Sequence, residues 1–213
     1  MKISLTKTGK RFNRDWIFRN VTYEFISGVS YAITGPNGSG KSTLLQVIGG
    51  AVAASEGELK YEAGNNKKPE IHDAEAYRYI SIAAPYLELI EEMTVTEFLH
   101  FHQEFKPFLP GASIPQIIST IGLQKAAAKQ IRFYSSGMKQ RVKLAQAIFS
   151  NVPCILLDEP CTNLDAEGIA LYQQLIKDYC TDRLVIVSSN DIQEYGFCTE
   201  SINILAYKNQ LKG

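Results

Sequence analysis

At 213 residues the chain has room for one well-buried α/β domain and too little length to add a bundle of membrane spans to it. Its 22 lysines and arginines balance 22 aspartates and glutamates, so no net field draws it onto polyanions, and no nucleic-acid partner is expected. A hydrophobic share of 45% beside 21% charged residues excludes a disordered chain.

The opening stretch MKISLTKTGKRFNRD lacks the apolar core of a signal peptide and no later run reaches membrane-spanning length, which predicts a cytoplasmic protein. Short strands are expected at residues 2–6, 20–26 (NVTYEFI) and 29–34 (VSYAIT), with Gly28 turning the second into the third. The third runs straight into a glycine-rich loop. A helix from Lys41 then carries Leu44, Leu45, Val47 and Ile48 against the sheet until Gly49 and Gly50 end it, and GELKYE returns as a strand. From Thr94 to about Ser150 the period turns helical through TVTEFLHFHQEF, SIPQIISTIGL and SGMKQRVKLAQAIFS, broken by Pro107, Pro110, Gly111 and Gly122. CILLD, a helix from about Asp165 to Tyr179, LVIVSS, a short helix and SINIL restore the alternation, which predicts a parallel sheet with crossover helices. Residues 1–213 read as a single domain with a helical insertion over about 88–150. The four cysteines, Cys154, Cys161, Cys180 and Cys198, form no CxxC pair and stand far in sequence from His72, His100 and His102, so they read as buried or incidental thiols.

Two segments carry chemistry. Residues 35–43, GPNGSGKST, satisfy G-x-x-x-x-G-K-[ST] between an expected strand and an expected helix. The loop Gly35, Pro36, Asn37, Gly38, Ser39, Gly40 lets successive backbone N–H groups face a polyphosphate, and the helix that follows aims its positive end at the same charge. Lys41 is placed to reach the β and γ phosphates of ATP, Ser42 to ligate Mg2+, and Thr43 to touch the α phosphate. CILLDEP puts Asp158 and Glu159 at the carboxyl edge of a buried strand, where Asp158 would anchor the magnesium and Glu159 would polarise the attacking water. Taken alone, the acidic pair is equally a strand cap.

Residues 134–141 read YSSGMKQR and residues 162–165 read TNLD. With GPNGSGKST and CILLDEP, they resemble the ATP-binding subunits of ABC transporters. The resemblance implies an α/β fold of P-loop NTPase type: a mainly parallel central sheet, an antiparallel β subdomain and a helical insertion. Ser135, Ser136 and Gly137 match the family's signature loop, from which Tyr134, Ser136 and Met138 depart; a plain helix N-cap describes the same serine. Asp165 falls in the D-loop, and the implied assembly is a head-to-tail dimer, homomeric or heteromeric, with two ATP molecules sandwiched. Phe12 falls where an aromatic stacks on adenine, with Trp16 as its competitor.

Two departures bear on rate. The family places a glutamine before the helical insertion, yet no glutamine lies between Gln46 and Gln103, and the slot falls at Pro85 or Ala84. It also places a histidine after the strand that follows the D-loop; here Asn190 takes that slot, and with Glu159 it forms the expected catalytic pair. The implied function is an ATP-binding subunit coupling ATP binding and slow hydrolysis to transport by a separate permease, peripheral on the inner face of the cell membrane. Alternatives are a nucleotide-gated dimerising switch with little turnover and the impaired half of a heterodimer.

Overall fold

The computed structural model describes residues 1–64 and 70–208; residues 209–213, the end of the stretch after SINIL, lie outside the described residues. In chain order the first elements are β1 (Lys2–Phe12), β2 (Asp15–Ile26), β3 (Ser30–Thr34), α1 (Lys41–Ile48), β4 (Glu56–Glu62), β5 (Glu70–Ile71) and β6 (Ile80–Ala83). Three helices follow, α2 (Val95–Phe105), α3 (Ile114–Thr120) and α4 (Ser136–Phe149). The chain then adds β7 (Cys154–Asp158), α5 (Ala166–Tyr179), β8 (Leu184–Ser188), α6 (Ile192–Tyr195) and β9 (Glu200–Asn203). No helix among the described residues is long and apolar enough to cross a membrane.

One sheet runs β6-β7-β8-β3-β9 with every pairing parallel, and the other runs β2-β1-β4-β5 with every pairing antiparallel. β7 and β8 are buried at every position, as strands covered on both faces must be. Their alternate side chains feed two cores. Ile155, Leu157, Val185 and Val187 pack with α2 to α5, while Cys154, Leu156, Leu184 and Ile186 pack with α1 and the β1–β2 hairpin. The helices begin on local chemistry legible in sequence: Thr94 with Glu97 and Ser113 with Gln116 form reciprocal capping boxes for α2 and α3.

The strands expected at 2–6 and 20–26 are longer, because residues 8–12 pair with residues 15–21 beyond them. Arg11 lies opposite Trp16 and Phe12 opposite Asp15, with register shifts between Leu5 and Arg11. Charged residues opposite aromatics, and the unbroken apolar run Trp16–Phe18, leave no strict alternation to read. β6 has no counterpart among the expected strands, since ISIA is too short to show a period. Its pairing with β7 makes it a strand, and Ser81 Oγ satisfies itself by donating to Ala147 O at 2.7 Å. SINIL divides into β9 and a 3-10 turn at Ile204–Tyr207. Cys154, Cys161 and Cys180 are buried and Cys198 is half-buried, all as free thiols.

Candidate functional site

Adjacent parallel strands release their following loops along one edge. Ile33 and Asp158 both pair with Ser188, so the segments beginning at Gly35, Ser189 and Glu159 leave neighbouring strands at nearly one level. This is the edge at which open α/β sheets bind ligands.

The loop 35–43 follows β3, with Gly35, Gly38 and Gly40 at φ 146, 71 and 102. At Gly40 any Cβ would run into the Ile17 side chain of β2, so glycine is required both by conformation and by the hairpin pressed against the loop. Pro36, Asn37 and Gly38 form an exposed crest, while Ser39 is buried with its Oγ unpartnered. The buried Lys41 Nζ reaches back to donate to Gly35 O at 2.9 Å and Pro36 O at 3.3 Å. Each of α2 to α6 starts from a Thr, Ser or Asp whose side chain caps it, whereas α1 starts from Gly40 with no side-chain cap. The first-turn amides at Lys41, Ser42 and Thr43 are left for a ligand, and the helix dipole and the ammonium make that ligand an anion.

Beside the loop, Asp158 is only 2% exposed, and its Oδ1 is buried without a partner, as is Ser188 Oγ. Burial raises the Asp158 pKa above the usual carboxylate value, against the opposing pull of the neighbouring Ser42 and Ser188 hydroxyls and of Lys41. The hydroxyls act on the carboxyl without closing a hydrogen bond to Oδ1. An unpartnered buried carboxylate oxygen next to a serine hydroxyl is an oxygen donor set that fits a hard divalent cation such as magnesium.

Glu159 sits half-buried in the left-handed region at φ 43, a conformation that costs on the order of 1–3 kcal/mol. Three consecutive backbone anchors hold it there. Glu159 N donates to Ser188 O at 2.9 Å, Gln140 Nε2 of α4 donates to Pro160 O at 2.7 Å, and Cys161 N donates to Glu194 Oε1 of α6 at 2.7 Å. Asn190 is exposed just beyond β8, after Ser189, whose N–H donates to Ile33 O at 3.1 Å. Ser188, Gln140 and Glu194 escape sequence reasoning. Serine after an apolar run is a weak signal for the first, and nothing in SGMKQR or DIQEY marks the other two as buried polar anchors.

Ser135, Ser136, Gly137 and Asp165 lie apart from the phosphate loop, in a cleft of about 440 Å³ that they share with Asn163 and Arg141. Ser135 Oγ caps α4 by accepting from Met138 N at 3.3 Å, and Asp165 Oδ1 caps α5 by accepting from Gly168 N at 2.8 Å. A Cβ on Gly137 would stand 2.9 Å from Asn163 O, so the two loops touch through the missing side chain. Phe12 ends β1 as a residue 47% exposed, with Lys10 Nζ 4.9 Å from its ring centroid. Trp16 is engaged by Arg19 and Arg11 at 4.2 and 5.5 Å, and Arg19 is itself fixed bidentately to Glu56 at 2.7 and 2.8 Å. Phe12 is therefore the more available of the two rings.

The family model described as ABC transporter matches residues 18–162, more than half of the chain. The chain belongs to the ABC transporter family. A relative, the cytochrome c biogenesis ATP-binding export protein CcmA of Agrobacterium fabrum (strain C58 / ATCC 33970), is 30% identical over 182 residues, covering 84% of each chain. The dimeric structure of MJ0796, a bacterial ABC transporter cassette, matches with a TM-score of 0.79 at 25% identity, over 95% of this chain and 94% of that one. The same cassette in a post-hydrolysis state bound to ADP and Pi gives 0.80 at 26% identity over the same shares. The chain is accordingly an ABC ATP-binding subunit with ATP hydrolase chemistry, and these likenesses favour a transporter subunit over a free-standing switch.

Proposed function

We propose that this ABC subunit binds Mg·ATP at the 35–43 loop, hydrolyses it slowly and drives a separate membrane permease. The observation that carries the reading is the convergence of an uncapped helix start, a buried lysine and the unpartnered Asp158 oxygen at one sheet edge. Phe12 would stack on adenine; Lys41 and the amides of residues 35–43 would bind the phosphates; Ser42 and Asp158 would hold magnesium. Bound there, magnesium would neutralise charge on the phosphate oxygens. Glu159 takes a proton from the attacking water as its oxygen bonds to the γ phosphorus and the bond to the ADP oxygen breaks. Asn190 donates a neutral hydrogen bond to the γ phosphate.

The neutral amide is the reason for slow turnover. Charge-assisted hydrogen bonds are about twice as strong as neutral ones, and the difference in a transition state is worth roughly one to two orders of magnitude in rate. Pro85, with no N–H and no polar side chain, removes a second contact.

Ser135, Ser136, Gly137 and Asp165 stand in a separate cleft, so they meet a nucleotide only when a second subunit brings them to it. That supports a head-to-tail pair, formed with another copy or a related subunit. Phe101 and Phe105 on α2, 43% and 71% exposed with ring centroids 5.1 Å apart, support docking of the permease on that side, with the subunit held at the inner face of the cell membrane. ATP turnover and dimerisation of the wild type beside Glu159→Gln and Lys41→Ala test the whole reading. Glu159→Gln should cut turnover about 100-fold or more while binding ATP, and Lys41→Ala should weaken Mg·ATP binding at least tenfold. Equal turnover in wild type and Glu159→Gln would remove Glu159 as the base.

A further inference from the structure

α6 carries its polarity inside out. Ile192 is 63% exposed while Glu194, two residues on, is only 5% exposed, the reverse of what burial of apolar surface selects in a helix of one turn. Such an inversion is expected where a side chain serves a site. The Glu194 main chain is pinned from behind. Its carbonyl accepts from the hydroxyl of Tyr172 on α5, itself fully buried, at 2.7 Å, and its N–H donates to Asp191 O at 3.0 Å. The side chain then reaches the segment after β7, where Oε1 accepts from Cys161 N at 2.7 Å.

Cys161 lies two residues past Glu159. The same two segments are also joined at their start, since Glu159 N donates to Ser188 O at 2.9 Å. Residues 188–194 and residues 159–161 therefore form a closed frame, fastened by main chain at one end and by the Glu194 carboxylate at the other. Between β8 and α6, Asp191 N donates to Ser189 Oγ at 2.9 Å and Gln193 N donates to Asp191 Oδ1 at 2.9 Å, which takes the slack out of that side. Both Glu159 and Asn190 ride on this frame. Glu159, at φ 43, is its strained member, and a residue held in that region relaxes to an ordinary one when its anchors go.

We propose that Glu194 is a positioning residue for hydrolysis: by holding the Cys161 amide it keeps the Glu159 carboxylate aimed at the attacking water and in register with Asn190. This role rests on the reading of Glu159 as the base.

Glu194→Met keeps the length of the side chain and removes the acceptor, whereas Glu194→Gln leaves a carbonyl oxygen in its place. Steady-state kinetics, ATP affinity in EDTA and thermal melting would be measured for both, in the wild type and in a Glu159→Gln background. Glu194→Met should lower kcat roughly tenfold, with KM for ATP and affinity in EDTA little changed, and Glu194→Gln should recover most of that loss. In Glu159→Gln no base is left to aim, so adding Glu194→Met should cost less than about twofold in a single turnover. Wild-type kcat in Glu194→Met overturns the proposal. So does a loss that persists undiminished in the Glu159→Gln background or falls equally on ATP affinity, either of which marks a merely structural part. If Glu194→Met melts below the assay temperature, Glu194→Asp, whose oxygen falls short of the Cys161 N–H by a methylene, takes its place and must show the same pattern. If instead Glu159→Gln alone turns over ATP like the wild type, it is the underlying reading of the base that fails.

Discussion

Asn190 concentrates the rate question in one side chain. It sits exposed one residue past the buried Ser188–Ser189 pair, at the edge that also releases Gly35 and Glu159, and its amide cannot become cationic. Replacing it with a group that can carry charge should raise kcat about tenfold in Asn190→His, read as phosphate release at saturating ATP, with no comparable change in KM. An unchanged kcat would mean that this position does not face the transferred phosphate. Among the proposed site residues, the glycines, Lys41, Ser42, Asp158 and Glu159 were legible because their types and spacing are themselves the chemistry. Ser188, Gln140 and Glu194 were not. Each is a common residue whose meaning comes from what folding packs beside it, such as the Cys161 N–H that Glu194 accepts at 2.7 Å.

At the scale of elements, α2 shows one helix serving two surfaces. Val95, Phe98 and Leu99 are buried, whereas Phe101 and Phe105 face outward, so an amphipathic period that reads as core packing also leaves an apolar face uncovered. His102 on the same helix is half-buried, with Nε2 2.9 Å from Ser150 Oγ and its ring stacked on Phe108. Ser150 Oγ already donates to Gln146 O at 2.5 Å, so Nε2 is the donor. Burial, helped by Lys106, lowers its pKa from 6.5 to about 4. A ring kept neutral in the fold contributes stability in full above about pH 6.5, and that stability is lost as pH falls toward 4. The loss amounts to about 3 kcal/mol, and urea titrations at pH 7 and pH 4 should show it shrinking in His102→Gln. Helices of this kind were legible from their periods. β6 and the outer halves of β1 and β2 were not, because their strand character comes from partners distant in sequence.

For the whole molecule, the proposed head-to-tail pair makes assembly a condition of closing the Ser135–Asp165 cleft on a nucleotide. With ATP, Glu159→Gln should double in mass by light scattering. Adding Gly137→Val, whose side chain would press on Asn163 O, should abolish that doubling while ATP still binds the single subunit. Persistence of the dimer would place its contact elsewhere. The fold class and the order of its layers were readable from the alternation of strands and helices, but which loops one helix would tie together was not. α4 is that helix. Gln140 grips the segment after Glu159, while Lys143 and Lys139 grip the stretch between Ala84 and Glu91. A rigid rod clasping both cannot slide at one end and stay still at the other, so a displacement of the stretch between Ala84 and Glu91 would be felt at the turn that holds Glu159.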